Sequence, residues 1–199
     1  MSASRLLEQR QRIAQAAARL VCELGLEDYG QAKRKAALQL GIGGDHALPD
    51  NAQVQAAVRE YQRLFAGDRQ PQQLDALRRA ALEAMAFLAP FQPRLVGAVL
   101  DGTAGRHSAV TLHLFSDPPE AVALFLAERR IGFEHGEQRL RVDRERTVVA
   151  PVLAMSADGV GFDLVVLPVD GLRQAPLDPV HGRPMQRAGR DQVARLLAS

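Results

Sequence analysis

The chain has one cysteine, no tryptophan, two tyrosines and only two lysines in 199 residues. The lone Cys22 excludes an internal disulfide and any cysteine-rich zinc site. It falls in an apolar helical stripe, a setting that suits a buried, inert thiol better than a nucleophile. No apolar run approaches the roughly 18 residues that a spanning helix needs. The first residues carry Glu8 among arginines instead of a signal-peptide core. The expectation is a cytoplasmic chain with no membrane partner. The five histidines show no HExxH spacing. G-x-x-x-x-G-K-[ST] and G-x-S-x-G are also missing, which excludes zinc-protease, P-loop and serine-hydrolase chemistry of those kinds. No metal site is expected, and no cofactor beyond the Mg²⁺ that a bound nucleotide would bring.

What is present is an arginine-rich chain with 47% hydrophobic and 24% charged residues and a formal net charge of +2. That near-balance permits nucleic acid as a partner without arguing for it. Up to about Pro90 the apolar residues recur with helical period. Leu6, Ile13, Ala17, Leu20 and Leu24 form one stripe, closed by Gly25. Asp28 is an N-cap with Gln31 three residues on, and Gly41 suits the end of that helix. A third helix after "LPDN" points Val54, Val58, Tyr61 and Phe65 inward. A fourth, from about Gln72 to Leu88, points Leu74, Leu77, Ala81, Met85 and Leu88 inward. After Pro90 the period shortens. "RLVGAVL", "AVTLHLF", "QRLRV", "TVVAPVLAM" and "VGFDLVVLPV" read as strands, and "SADG" as a hairpin turn. "DPPEAVALFLAERRI" is a helix with prolines near its start. A short helix begins near Arg190. The fold class is α+β: a helical part over 1–89, then a mixed sheet with a covering helix over 90–199.

Both lysines lie in "AKRKA". At about 100° per residue, Lys33 falls among Tyr29, Ala32, Ala36, Ala37 and Leu40 on the buried face, whereas Lys35 faces solvent. Lys33 must therefore bend its stem outward, meet a carboxylate, or reach a ligand phosphate.

The unit "LVGAVLDGTAGRHSAVTLHLF" resembles the signature of the nucleotidyltransferase superfamily, the polymerase-beta-like fold. Gly97 matches the first glycine, Gly102, Thr103 and Ala104 the second block, and Ser108 the serine before the acidic pair. The resemblance covers about half the chain. It implies a mixed sheet and a cleft for a nucleotide or another phosphate-bearing ligand. The family's acidic pair, which holds Mg²⁺, is replaced by Ala109 and Thr111. Asp163 on a later strand is the candidate for the family's third carboxylate. The expectation is a degenerate member, a pseudoenzyme for two-metal transfer, with a regulatory or unusual transfer role. Whether it is an enzyme stays open, and so does its oligomeric state.

His113 shares a strand face with Thr111 and Phe115. It is read either as a base or phosphate binder, paired in role with Asp163, or as a half-buried strand histidine with one hydrogen bond. The loop with Gly97, Asp101, Gly102, Thr103 and Ser108 is either an anion cradle or an ordinary connection. In the tail "LRQAPLDPVHGRPMQRAG", Arg173, Gln174, Arg183 and Arg187 offer phosphate-competent donors, or the segment wraps a sheet edge. The stretch "RIAQAAARLVCELGLEDYGQAKRKAALQLGI", a helix, "ELG", a capped second helix with "AA", then "LGI", resembles the opening of TetR-type helix-turn-helix regulators, which implies a nucleic-acid partner. A non-catalytic interaction module is the third reading.

Overall fold

A computed structural model describes residues 3–26, 28–65, 69–105, 107–143 and 145–198. The first helices follow from their caps and stripes. Helix α1 (Ala3–Leu24) ends where Gly25 turns to φ +68°, a conformation that suits glycine. Helix α2 (Tyr29–Gln39) starts on Asp28, whose carboxylate accepts from the Gly30 and Gln31 amides. Helix α3 (Asn51–Phe65) has a reciprocal box: Asp50 Oδ1 accepts from Gln53 N, and Gln53 Oε1 accepts from Asp50 N. Ile13, Ala17, Ala32, Ala36, Val54 and Val58 form their shared core. Two expected stripe members are not in it, since Leu24 is 60% and Phe65 71% exposed. Both lie in the last turn of their helices, where the chain leaves the packed face.

Helix α4 (Arg69–Phe87) buries Leu74, Leu77, Ala81 and Met85 as its period predicts. Strand β1 (Arg94–Val96) then stops short. "RLVGAVL" is not one strand: Gly97–Asp101 is a helical turn, α5. Gly97 enters it at φ +71° and Gly102 closes it at φ +78°, with its amide bonded back to Ala98 O. A short apolar run does not distinguish the two structures by period. Strand β2 (Val110–Phe115), helix α6 (Glu120–Glu128) and strands β3 (Glu134–Arg141), β4 (Thr147–Ala157) and β5 (Val160–Leu167) follow, and helix α7 (Arg190–Leu197) ends the chain. The β4–β5 turn places Asp158 and Gly159 at φ +50° and +79° between the paired Ala157 and Val160. That is the geometry a two-residue hairpin favours.

The five-stranded mixed sheet runs β1-β2-β5-β4-β3, with β2 and β5 parallel and the other pairs antiparallel. Alternation gives it two unlike faces. One carries Leu95, Leu112, Leu114, Phe162, Leu164 and Val166, all buried. The other carries Arg94, Thr111, His113, Phe115, Asp163 and Val165. By its packing the chain separates into two compact units. One comprises Met1–Gln73, Thr103–Ser108 and Pro179–His181; the other comprises Leu74–Gly102, Ala109–Asp178 and Gly182–Ser199. The sequence changes period near Pro90, whereas the units divide inside α4.

The proline-rich segment does wrap sheet edges. Leu95 and Ala188 exchange both backbone hydrogen bonds at 2.9 Å on the outer side of β1. At the other edge Leu177 N donates to Arg141 O at the end of β3.

Candidate functional site

The parallel register of β2 and β5 sets Thr111 directly beside Asp163, and His113 beside Val165. The antiparallel register of β1 and β2 sets Arg94 beside His113. Thr111, His113 and Asp163 therefore share one face, with Arg94 in the His113 row. Arg187 comes to the same face from the tail. Its guanidinium lies 5.5 Å from the Phe115 ring centroid and donates to Gly171 O at 2.7 Å and Leu172 O at 2.9 Å.

These groups are poorly satisfied by the protein. His113 is 1% exposed, and its buried Nδ1 has no hydrogen-bond partner among the described residues. Burial, then the Arg187 charge, pushes its pKa down to about 4, so the imidazole is neutral at pH 7. Asp163 is half-buried, and desolvation holds its carboxyl above the usual range. No described residue gives that carboxylate a hydrogen bond or an ionic partner. Burial, then Arg94, holds the Arg187 guanidinium below the usual arginine range. Among the described residues Arg94 donates to the Gln92 and Pro93 carbonyls alone.

The glycine loop is differently placed. Gly97, Asp101 and Gly102 belong to the sheet-bearing unit, but Thr103 and Ser108 belong to the helical one. The loop's amides are largely in use. Gly102 N caps α5, Gly105 N donates to Ser108 Oγ, and Ser108 N donates to Gly105 O. Gln62 and Gln70 bind the Thr103 and Ala104 carbonyls. Near Gly97 the sheet leaves room: a Cβ there would lie 4.0 Å from Thr111 Oγ1.

Lys33 is half-buried, as its helical phase requires, and Lys35 is exposed. The Lys33 ammonium donates to Pro49 O at 2.9 Å and to Asn51 Oδ1 at 3.0 Å. Asn51 in turn donates to Pro179 O. Lys33 thus ties the start of α3 through neutral oxygens. Among the tail residues, Arg173, Gln174 and Arg183 are exposed. Of the expected ligand residues, only Gln174 lines a cavity of about 400 Å³ bounded by Ser116, Asp117, Val148, Pro151 and Leu167. The Cys22 thiol is pushed up to about 11 by burial, which keeps it protonated. Arg59 and Arg63 on α3 are exposed, and Arg63 pairs with Glu60 at 2.7 Å.

The residues of the sheet face do not fit a two-Mg²⁺ site. Among the described residues no group of three or more His, Cys, Asp or Glu side chains stands together. Asp163 and the Thr111 hydroxyl supply one carboxylate and one neutral oxygen, too few charged ligands to hold two Mg²⁺ ions close together. No described helix is long and apolar enough to cross a membrane. No protein-family model matches the chain, and no curated protein matches it.

Sequence reading missed Arg94. Nothing in "FQPRLVG" sets it apart from other arginines, and only the β1–β2 register places it next to His113.

Proposed function

We propose that the chain is a nucleotidyltransferase-like protein that binds a nucleotide or another phosphate-bearing ligand on the sheet face of Thr111, His113 and Asp163, without two-metal catalysis. The observation that carries this reading is the register of Asp163 beside Thr111. It sets the lone remaining carboxylate on the strand next to the one where the resemblance expects the acidic pair. Ala109 and Thr111 occupy those acidic positions, so a second and third metal ligand are missing. A buried, neutral imidazole at His113 is also badly placed to exchange protons with solvent. These features favour ligand sensing or regulation over transfer chemistry.

The test is thermal unfolding with ATP, GTP, CTP and UTP, each with Mg²⁺ and with EDTA. The reading expects at least one nucleotide to raise the Tm in both conditions. If none of the four shifts it in either, the nucleotide reading fails.

A further inference from the structure

The sheet face brings together cations that no described carboxylate neutralises. Arg94 lies beside His113 in the strand register. Arg187 lies over Phe115, two residues along the same strand face. Arg94 is close enough to contribute to lowering the Arg187 pKa. Among the described residues neither guanidinium forms an ion pair with a carboxylate. Like charges held together in a half-buried setting destabilise the fold unless an anion joins them.

Among the described residues both forks keep donors unused. Arg187 uses Nη1 and Nη2 once each, and the bonds of Arg94 come from Nη1 alone, whereas a guanidinium has five N–H groups. The Gly171 and Leu172 carbonyls fix the Arg187 fork before any ligand arrives, which limits the ordering cost of binding. Beside the pair, His113 has the buried, unpartnered Nδ1. Asp163, without a partner among the described residues, stands one row along and two strands across from Arg94, about 12 Å away by strand spacing and rise.

We propose that Arg94 and Arg187 form a metal-free seat for the phosphate group of a phosphomonoester or pyrophosphate ester. His113 lies beside the seat, and Asp163 accepts from a ligand hydroxyl one row away. Planar guanidinium forks match phosphate oxygens bidentately, and two of them balance the charge of a dianion. The proposal rests on the reading that this face is the ligand site. It adds that arginine stands in the role that Mg²⁺ holds in the resembled family.

The experiment is calorimetric titration of inorganic pyrophosphate and ATP, in EDTA and again with Mg²⁺, on the full chain and on Arg94→Gln, Arg187→Lys and Arg12→Gln. Arg94→Gln removes a side chain that bonds, among the described residues, to its own neighbours, and it relieves a like-charge pair, so its Tm should hold or rise while pyrophosphate binding weakens by about tenfold or more. Arg187→Lys keeps the charge but loses the fork, and should weaken binding similarly. If that variant unfolds, Arg94→Gln alone decides. Arg12→Gln, at an exposed position of α1, should bind like the parent. Pyrophosphate binding that is lost in Arg94→Gln supports the seat even if no nucleotide binds, and then only the nucleotide reading falls. Nucleotide binding that is equal in parent and Arg94→Gln overturns the seat and leaves the nucleotide reading standing. Binding of pyrophosphate only with Mg²⁺, or not at all, also overturns the seat.

Discussion

The two faces of the five-stranded sheet come from the same strands, yet they are built for different ends. On one, Leu95, Leu112, Leu114 and Leu164 are completely buried and have no polar group to satisfy. On the other, the same strands hold Arg94, His113 and Asp163, and the tail adds Arg187. Alternation alone makes the faces distinct, but it does not require the second to be polar. Its far end is apolar, with Phe115, Leu140, Ala150, Val165 and Leu167 in one cluster. The polar rows are therefore a local departure from a sheet that can pack on both sides. Groups left without partners cost stability, and such local costs concentrate at functional sites.

The comparison breaks hardest on the apolar face. Leu164→Ala should cost about 3 kcal/mol in chemical denaturation, because a completely buried leucine leaves a cavity. A loss below about 1 kcal/mol would mean that this face is not the tightly packed one.

Acid should strike the polar face. The His113 pKa falls to about 4 in the fold, below its ordinary value of about 6.5. The unfolded chain therefore binds more protons between those values, and the fold loses stability as pH falls from about 6.5 towards 4. The loss is on the order of 3 kcal/mol. Glu23, Glu60 and Asp143, whose pKa values are lowered, contribute losses only below the ordinary carboxylate range of about 4.5. Asp163 works the other way, since its raised pKa favours the fold as pH falls. Stability measured across this window should show the His113 loss in the parent chain and much less of it in His113→Leu. An equal loss in both would assign it elsewhere.

Ala109→Asp with Thr111→Asp adds two carboxylates to the face of Asp163. The double variant should melt lower than the parent in EDTA through like-charge repulsion, by roughly 5 °C, and should recover on addition of Mg²⁺. A melting temperature indifferent to Mg²⁺ would remove the link between this face and the metal site of the resembled family. The smallest effect is at Asp163 itself. Its carboxylate has no partner to lose among the described residues, so Asp163→Asn should raise the Tm by about 1–3 °C. A fall instead would reveal a partner for Asp163.

Much of this was readable before the structure. The cap at Asp28, the helix start at "LPDN", the α4 stripe and the Asp158–Gly159 turn are local devices, and local sequence specifies them. The phase of Lys33 was legible for the same reason. Its contacts were not, because Pro49 and Asn51 are reached across a turn. The α5 turn was hidden because "VGAVL" is apolar in either conformation, and backbone freedom at Gly97 and Gly102 decides it. On the site, alternation puts Thr111, His113 and Phe115 together. The placement of Asp163, Arg94 and Arg187 beside them depends on strand register and on the path of the tail. Those are long-range facts that no window of sequence contains.

The central claim is that this face holds an anion with arginine instead of a metal. It is tested most directly by titrating ATP into the full chain in EDTA and again with Mg²⁺. The account predicts dissociation constants that agree within about threefold, less than 1 kcal/mol apart. Binding that appears only when Mg²⁺ is present would contradict it.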